Sequence, residues 1–304
     1  MVTRRLLAVT AGLGLDRAFG EPPTGLHPVA WFGTAMTACE HRTYAPRRTN
    51  GALHAAVGLL AGMGAGRALP RTELSTAGAT AIATAGQALG QAATAVGDAL
   101  QRGDLQQARG LLPSLVGRDP SDLGEIELAR AVVESVAENT VDAVIAPALW
   151  AVAGGAPGAL GYRAINTMDA MVGHRSDRYA RFGTPAARLD DFANWVPARV
   201  TALLVIAARP AAARAVVRAV RDDAPGHPSP NAGVAEAAFA AALGIQLGGT
   251  NRYGDRTEDR VVLGAGRGVE QADIAAAVRL SRDCTMVLAA LLLAGAAAAR
   301  WVAA

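Results

Sequence analysis

The sequence predicts an all-α fold: a multi-pass helical membrane protein in which amphipathic helices and polar loops form the active site. Three observations carry this. The 304 residues are 51% hydrophobic with a mean hydropathy of +0.22. Only 18% are charged, against about 25% in soluble domains. Uncharged runs recur, at 49–66 between arginines and at 284–299 before Arg300. Residues 1–304 read as a single integral-membrane domain, with a polar catalytic block at about 116–199.

The net charge is +3, and lysine is absent, so every cation except histidine is Arg. That excludes a Walker-type phosphate loop and a Schiff-base lysine. Arginine is dispersed and aromatics make up 4% of the chain, which argues against a nucleic-acid surface. Forked recognition of phosphate or carboxylate suits these arginines better. Cys39 and Cys284 are far apart and show no metal-ligand spacing, so both read as buried free thiols.

The elements follow in order. Residues 6–15 are apolar after Arg4 and Arg5, and read as a retained first helix, not a cleaved signal. A polar, Pro-punctuated turn occupies 16–23, and 26–33 restart a helix with Pro28 in its first turn. Residues 49–66 are a candidate span with basic ends. Residues 74–97 lack charge but are diluted by Thr, Gln and Gly, so they either span or pack within a bundle. Residues 98–138 are amphipathic, with a short helix at 104–112 closed by Pro113. After a turn at 117–120, Ser121 or Asp122 caps a helix that runs past Asn139.

Residues 143–162 are uncharged but interrupted by Pro147, Gly154–Gly155 and Pro157–Gly158. A broken apolar segment beside charged helices suits a site better than an anchor. Residues 200–208 are apolar and short. Arg214, Arg218 and Arg221 form a solvated or headgroup-facing stripe. Residues 232–247 read as an Ala-rich helix, 250–268 as Gly-rich loops, and 274 onward as a final helix.

Arg130, Glu134, Glu138 and Asp142 stand at intervals of four, in one slanting helical row. Three acids on one stripe repel each other. Either solvent tolerates this on an exposed face, or a divalent cation relieves it; Mg²⁺ prefers a few carboxylates, water and phosphate oxygens. Tyr162, Asn166 and Asp169 share another helical face, suited to magnesium or hydroxyl ligands or to capping the next loop. Arg175 and Arg178 lie in a basic loop with His174 and could grip phosphate. Asp190 and Asp191, followed by Asn194, diverge on a helix, so one can bind while the other caps. Asn231 sits where a loop enters a helix N-terminus, a place for an anion or for turn-and-cap duty alone.

The blocks LDRAFGEPPTGLHPVAWFG, VGRDPSDL, VESVAENTVDAVIAPALW, GGAPGALGYRAINTMDAMVGHRSDRYARFG, AARLDDFANWVPARVTALL and SPNAG with LGIQLGG cover most of the chain. Together they resemble the adenosylcobinamide-phosphate synthase family (CbiB/CobD) of cobalamin biosynthesis. The resemblance implies a multi-pass inner-membrane amide ligase using ATP and Mg²⁺. Such an enzyme joins aminopropanol or its phosphate to the free propionate carboxylate of adenosylcobyric acid. Its product is adenosylcobinamide or its phosphate. Other membrane enzymes late in the pathway are candidate partners; nucleic acid is not. On this reading Glu134, Glu138 and Asp142 hold magnesium on ATP. Arg118, Arg163, Arg175 and Arg178 neutralise phosphates, Asn166 and Asn231 help bind the cofactor, and Asp169, Asp190 or Asp191 takes the proton of the attacking ammonium. The competing reading is a membrane transporter with intramembrane carboxylates.

Overall fold

The computed structural model describes residues 2–117, 120–174, 176–253 and 256–303. In chain order the helices are α1 (Val2–Phe19), α2 (Pro28–Thr43), α3 (Arg48–Ala68), α4 (Glu73–Ala83), α5 (Gly86–Gln101), α6 (Leu105–Leu111) and α7 (Glu125–Thr140). A π turn, Val141–Ile145, leads into α8 (Ala146–Gly154) and then α9 (Ala156–Met168). A second π turn, Asp169–Gly173, precedes α10 (Thr184–Ala208), α11 (Ala213–Asp222) and α12 (Ala232–Leu243). An antiparallel pair, β1 (Leu247–Tyr253) and β2 (Arg256–Leu263), separates these from α13 (Ala272–Ala303).

Backbone contacts divide the chain into two compact units. The first comprises residues 1–85, 142–194 and 289–304; the second comprises 86–141 and 195–288. The sequence reads as one domain because at three of the four crossings the chain passes between units inside a continuous helical stretch, and no Pro/Gly-rich linker marks the change. The polar block is divided accordingly.

In the first unit, α9 lies along α3. The contact is set by small residues: Gly58, Gly62 and Gly66 recur every four positions and are all buried. A Cβ on Gly58 would meet Met168 Sδ, one on Gly62 would lie 2.6 Å from Ala164 Cβ, and one on Gly66 would lie 2.5 Å from Pro157 Cα. Absent side chains let the two helices approach closely, the small-xxx-small device of membrane helices. Below the seam Met36, Ala55, Met168, Val172, Phe182 and Ala186 form a buried apolar cluster. The uncharged run at 74–97 is two helices, not one span. Ala85 N–H leaves the helix to bond Ala143 O at 2.8 Å, a carbonyl within the first π turn.

In the second unit, α5 and α12 both pack on α7, and α12 also meets the β pair. The apolar face of α7, with Leu128, Val132, Val133 and Val136, is fully buried. The β pair corrects the expectation of loops at 250–268. Gly248 and Gly249, at φ +71° and +78°, admit a register shift between Leu247 and Gly249. Beyond it the ladder runs from Gly249↔Arg260 to Tyr253↔Arg256. The available signal was Gly254–Asp255 between two short runs, the second ending Val261-Val262-Leu263.

Among the described residues three helices are long and apolar enough to cross a membrane: Glu125–Gly154, Thr184–Ala208 and Ala272–Trp301. The expected span at 49–66 is helical, as α3, but is not one of the three. The short apolar run at 200–208 is the end of the much longer α10, which carries Pro197 inside it.

The glycine seam makes a direct prediction. Gly62→Leu should lower stability by about 1–3 kcal/mol through overpacking. Gly64→Leu on the same helix, where an added Cβ meets nothing within 4 Å, should leave it near wild type. Thermal unfolding of the two variants in detergent checks this; equal melting temperatures would remove the seam as a constraint.

Candidate functional site

The first unit holds a connected cluster of carboxylates and amides, with contributions from the first π turn, α9 and α10. Asn166 Nδ2 donates to Asp142 Oδ2 at 3.2 Å and to Asp190 Oδ1 at 3.4 Å. Asn194 Nδ2 donates to the other oxygen of Asp190 at 2.9 Å. Tyr162 O–H bonds Asn194 Oδ1 at 2.8 Å and lies 3.2 Å from the backbone carbonyl of Asp142. Arg163 NH1 reaches Asn166 Oδ1 at 3.4 Å, and its NH2 lies 4.0 Å from Glu21 Oε1. Asp169 is within electrostatic range of Asp190. Asp190, Asn194 and Tyr162 are buried, while Asp142 and Asn166 are half-buried.

Local geometry explains the convergence. Tyr162 and Asn166 are four apart on α9, and Asp190 and Asn194 are four apart on α10, so each pair shares one face. Consecutive helical residues point about 100° apart. Only one of Asp190 and Asp191 can therefore face Asn166, and it is Asp190. Both π turns occur where a cluster carboxylate stands: the first contains Asp142 and the second begins at Asp169. π turns frequently mark functional positions in helices.

The acidic row is not one continuous α-helical stripe. A spacing of four presumes α-helical pitch, and the π turn beginning at Val141 adds a residue to that turn, so the row's phase fails at Asp142. Glu134 is buried and accepts the Gly248 N–H at 3.0 Å, while Arg130 NH1 donates to Gly248 O at 3.0 Å. These two side chains thus clasp both sides of one residue at the start of β1. Glu138 is exposed. Among the described residues no group of three or more His, Cys, Asp or Glu is arranged to hold a metal ion.

The remaining expected residues fall as follows. Arg118 and Arg175 lie outside the described residues. Arg178 is engaged by the buried Glu40, with NH2 at 2.9 Å and Nε at 3.3 Å from Oε1, and Tyr179 O–H bonds the same oxygen at 2.9 Å. Its guanidinium stacks 4.1 Å from the Tyr44 ring centroid. The hydrogen bond to Glu40, then that with Tyr179, raises the Arg178 pKa above its ordinary value. Arg178 is therefore a permanent cation that fastens a loop to α2. Asn231 belongs to the second unit, where its Oδ1 accepts from Arg199 NH1 at 2.9 Å. Ser229 Oγ accepts the Asn231 and Ala232 N–H groups at 3.3 and 3.1 Å, occupying the helix entrance expected for an anion.

Two partners escaped the sequence reading, Glu21 beside Arg163 and Glu40 beneath Arg178, whereas Asn194, grouped there with Asp190 and Asp191, donates to Asp190. Asn194 was the legible one, because an acid and an amide four apart on a helix pair readily. The two glutamates are joined to their arginines across more than 130 residues of chain, and no local spacing signals that.

The described residues thus form a largely helical protein with helices long enough for a bilayer and a carboxylate–amide cluster carried on the helices of its first unit. The family model for CobD/Cbib protein matches residues 9–281, and the chain belongs to that family. It is 51% identical over 291 residues to the cobalamin biosynthesis protein CobD of Mycobacterium tuberculosis, covering 91% of each chain. It is 43% identical over 254 residues to the CobD of Geobacter metallireducens, covering 79% of this chain and 80% of that one. For the CobD of Yersinia enterocolitica the figures are 40% over 297 residues, 91% and 92%. No solved structure matches.

Two variants separate the roles assigned to these acids. Asn166→Ala removes the donor shared by Asp142 and Asp190 and should cost about 1–3 kcal/mol of stability. Glu134→Ala leaves the buried Gly248 N–H without its acceptor, costing a similar ~1–3 kcal/mol, yet should keep the wild-type magnesium dependence of activity. Chemical unfolding and a magnesium titration of turnover measure both. A changed magnesium requirement in Glu134→Ala would return the acidic row to the metal site.

Proposed function

We propose that the chain is a membrane-embedded, ATP-dependent amide ligase of adenosylcobinamide-phosphate synthase type. A role in cobalamin biosynthesis follows from its family. The finer reading is that it joins aminopropanol or its phosphate to the free propionate carboxylate of adenosylcobyric acid. Three bilayer-length helices support placement in the cell inner membrane as a multi-pass protein.

The observation that carries the reading is the single Asn166 amide that donates to both Asp142 and Asp190. Two carboxylates held this close form a hard-oxygen donor set, and only a cation or a hydrogen-bond donor reconciles them in a half-buried place. Mg²⁺ is commonly held by one or two carboxylates, with phosphate and water supplying the rest. The residues present fit that pattern, with Asp142 and Asp190 as the protein ligands. Magnesium, when bound, offsets the charge of the ATP phosphates. Arg163, between Asn166 and Glu21, supplies a cation at the same face of α9 for the phosphate that develops there.

In the reaction, the propionate oxygen takes the terminal phosphoryl group of ATP and ADP departs. The amine then attacks the acyl carbon, phosphate leaves, and the amide forms. The attacking nitrogen starts as an ammonium and must lose a proton. We assign that proton to Asp169, which lies on the turn after Asn166 and within range of Asp190. Asp190 is committed to two amide donors, and Asp191 faces elsewhere on α10, so both are weaker candidates for the base.

The test is direct. Purified protein with adenosylcobyric acid, aminopropanol phosphate, ATP and Mg²⁺ should form the amide, read by mass spectrometry, with stoichiometric ADP. Asp169→Asn should lower kcat by about 100-fold or more while KM for ATP stays near wild type. No product, together with corrinoid uptake into vesicles carrying the protein, would establish the transporter instead.

A further inference from the structure

A second feature of the first unit has no part in this chemistry. A cavity of about 1070 Å³ opens where the N-terminus of α1, the C-terminus of α3 and the start of α9 meet. Arg4, Arg5, Arg67 and Arg71 stand around it. Its walls are apolar, with Leu59, Met63, Ile165 and Leu189 along them. Trp150 and Phe192 also line it, and both remain exposed, at 36% and 75%.

The four arginines are not equally committed. Arg5 NH1 donates to Val152 O and Ala153 O at 3.2 and 2.7 Å, and Arg4 pairs loosely with Glu73 at 3.3 Å on an exposed surface. Arg67 and Arg71 are exposed and have no ion pair or hydrogen bond among the described residues. Two uncommitted cations thus line a largely apolar cavity, one in the last turn of α3 and one in the connection to α4.

We propose that this cavity binds an anionic phospholipid, its phosphate held by Arg67 and Arg71 and its acyl chains along Trp150 and Phe192. Three arguments select this occupant. The lining combines arginines with a larger apolar surface, which matches an amphiphile and not a polyphosphate. Each arginine near an anionic lipid surface contributes attraction, and aromatic side chains favour the bilayer interface. Tyr162, the cluster residue that also lines the cavity, lies five residues beyond Pro157, about 7–8 Å further along α9 at 1.5 Å per residue. Asp142 and Asp190 are not among the residues that line the cavity, so a phosphate held there does not meet the carboxylates proposed to act on ATP.

The inference rests on the membrane reading above but not on the ligase chemistry, so its test uses binding alone. Detergent-solubilised full-length protein is incubated with dioleoyl phosphatidylglycerol or dioleoyl phosphatidylcholine and examined by native mass spectrometry. Wild type should retain phosphatidylglycerol with a roughly tenfold preference. The Arg67→Ala/Arg71→Ala double variant should lose that preference while keeping wild-type turnover. Phosphatidylglycerol with brominated chains should quench Trp150 fluorescence, measured as the signal lost in Trp150→Phe. Equal retention of the two lipids by wild type, an unchanged preference in the double variant, or displacement of phosphatidylglycerol by ATP would each overturn the proposal. Resistance of the wild-type chain to alkaline carbonate extraction tests the membrane reading separately.

Discussion

One amide group between two carboxylates is the interaction on which the first unit depends. Asp142 and Asp190 come from different helical segments, and both are removed in part from water. Each would bear a large desolvation cost alone, and together they repel. The Asn166 N–H pair meets one oxygen of each, Asn194 meets the remaining oxygen of Asp190, and Tyr162 holds Asn194 in place. The network is closed enough to fold yet retains carboxylate oxygens with lone pairs to spare. Its members are helix-borne, so their separation is set by packing and not by loop flexibility.

That packing traces to glycine. The α3 helix contributes no polar side chain to the cluster, but its Gly58, Gly62 and Gly66 determine how near α9 can come. Since α9 carries Tyr162, Arg163 and Asn166, any outward movement of this helix moves half of the network. In the second unit the same economy appears with opposite chemistry. Arg130 and Glu134, one turn apart on α7, hold the N–H and the carbonyl of Gly248. Charged side chains there serve backbone groups at a strand whose bulge would otherwise leave them unmet.

Much of this was legible beforehand, and the reasons for the exceptions are specific. Helical periodicity placed Tyr162, Asn166 and Asp169 together, and the divergence of Asp190 and Asp191 followed from their adjacency. The family resemblance rested on long blocks and held. The single face expected for the acidic row ends at Val141, because spacing by four encodes a face only while the pitch is 3.6 residues; the π turn at Val141–Ile145 changes the pitch, and nothing in the sequence marked it. The β pair was hidden by polarity, since charged and Gly-rich segments read as loops when no apolar alternation accompanies them. Glu40 and Glu21 were invisible because their arginines are remote in sequence. The GxxxG-like spacing in α3 was present as text, at Gly58, Gly62 and Gly66, but its meaning required knowing which helix lay opposite.

The π turn Asp169–Gly173 has a consequence of another kind. It holds one residue more than an α-turn of the same rise, so it works as a length buffer between α9 and the segment carrying Arg178. Loss of a single residue there would let the helix continue in α form, leaving Tyr162 and Asn166 where they are. What would change is the azimuth at which the chain departs, and with it the approach of Tyr179 and Arg178 to Glu40. The joint beyond Asp169 can therefore absorb an insertion or deletion that an unbroken helix would transmit to the anchored loop.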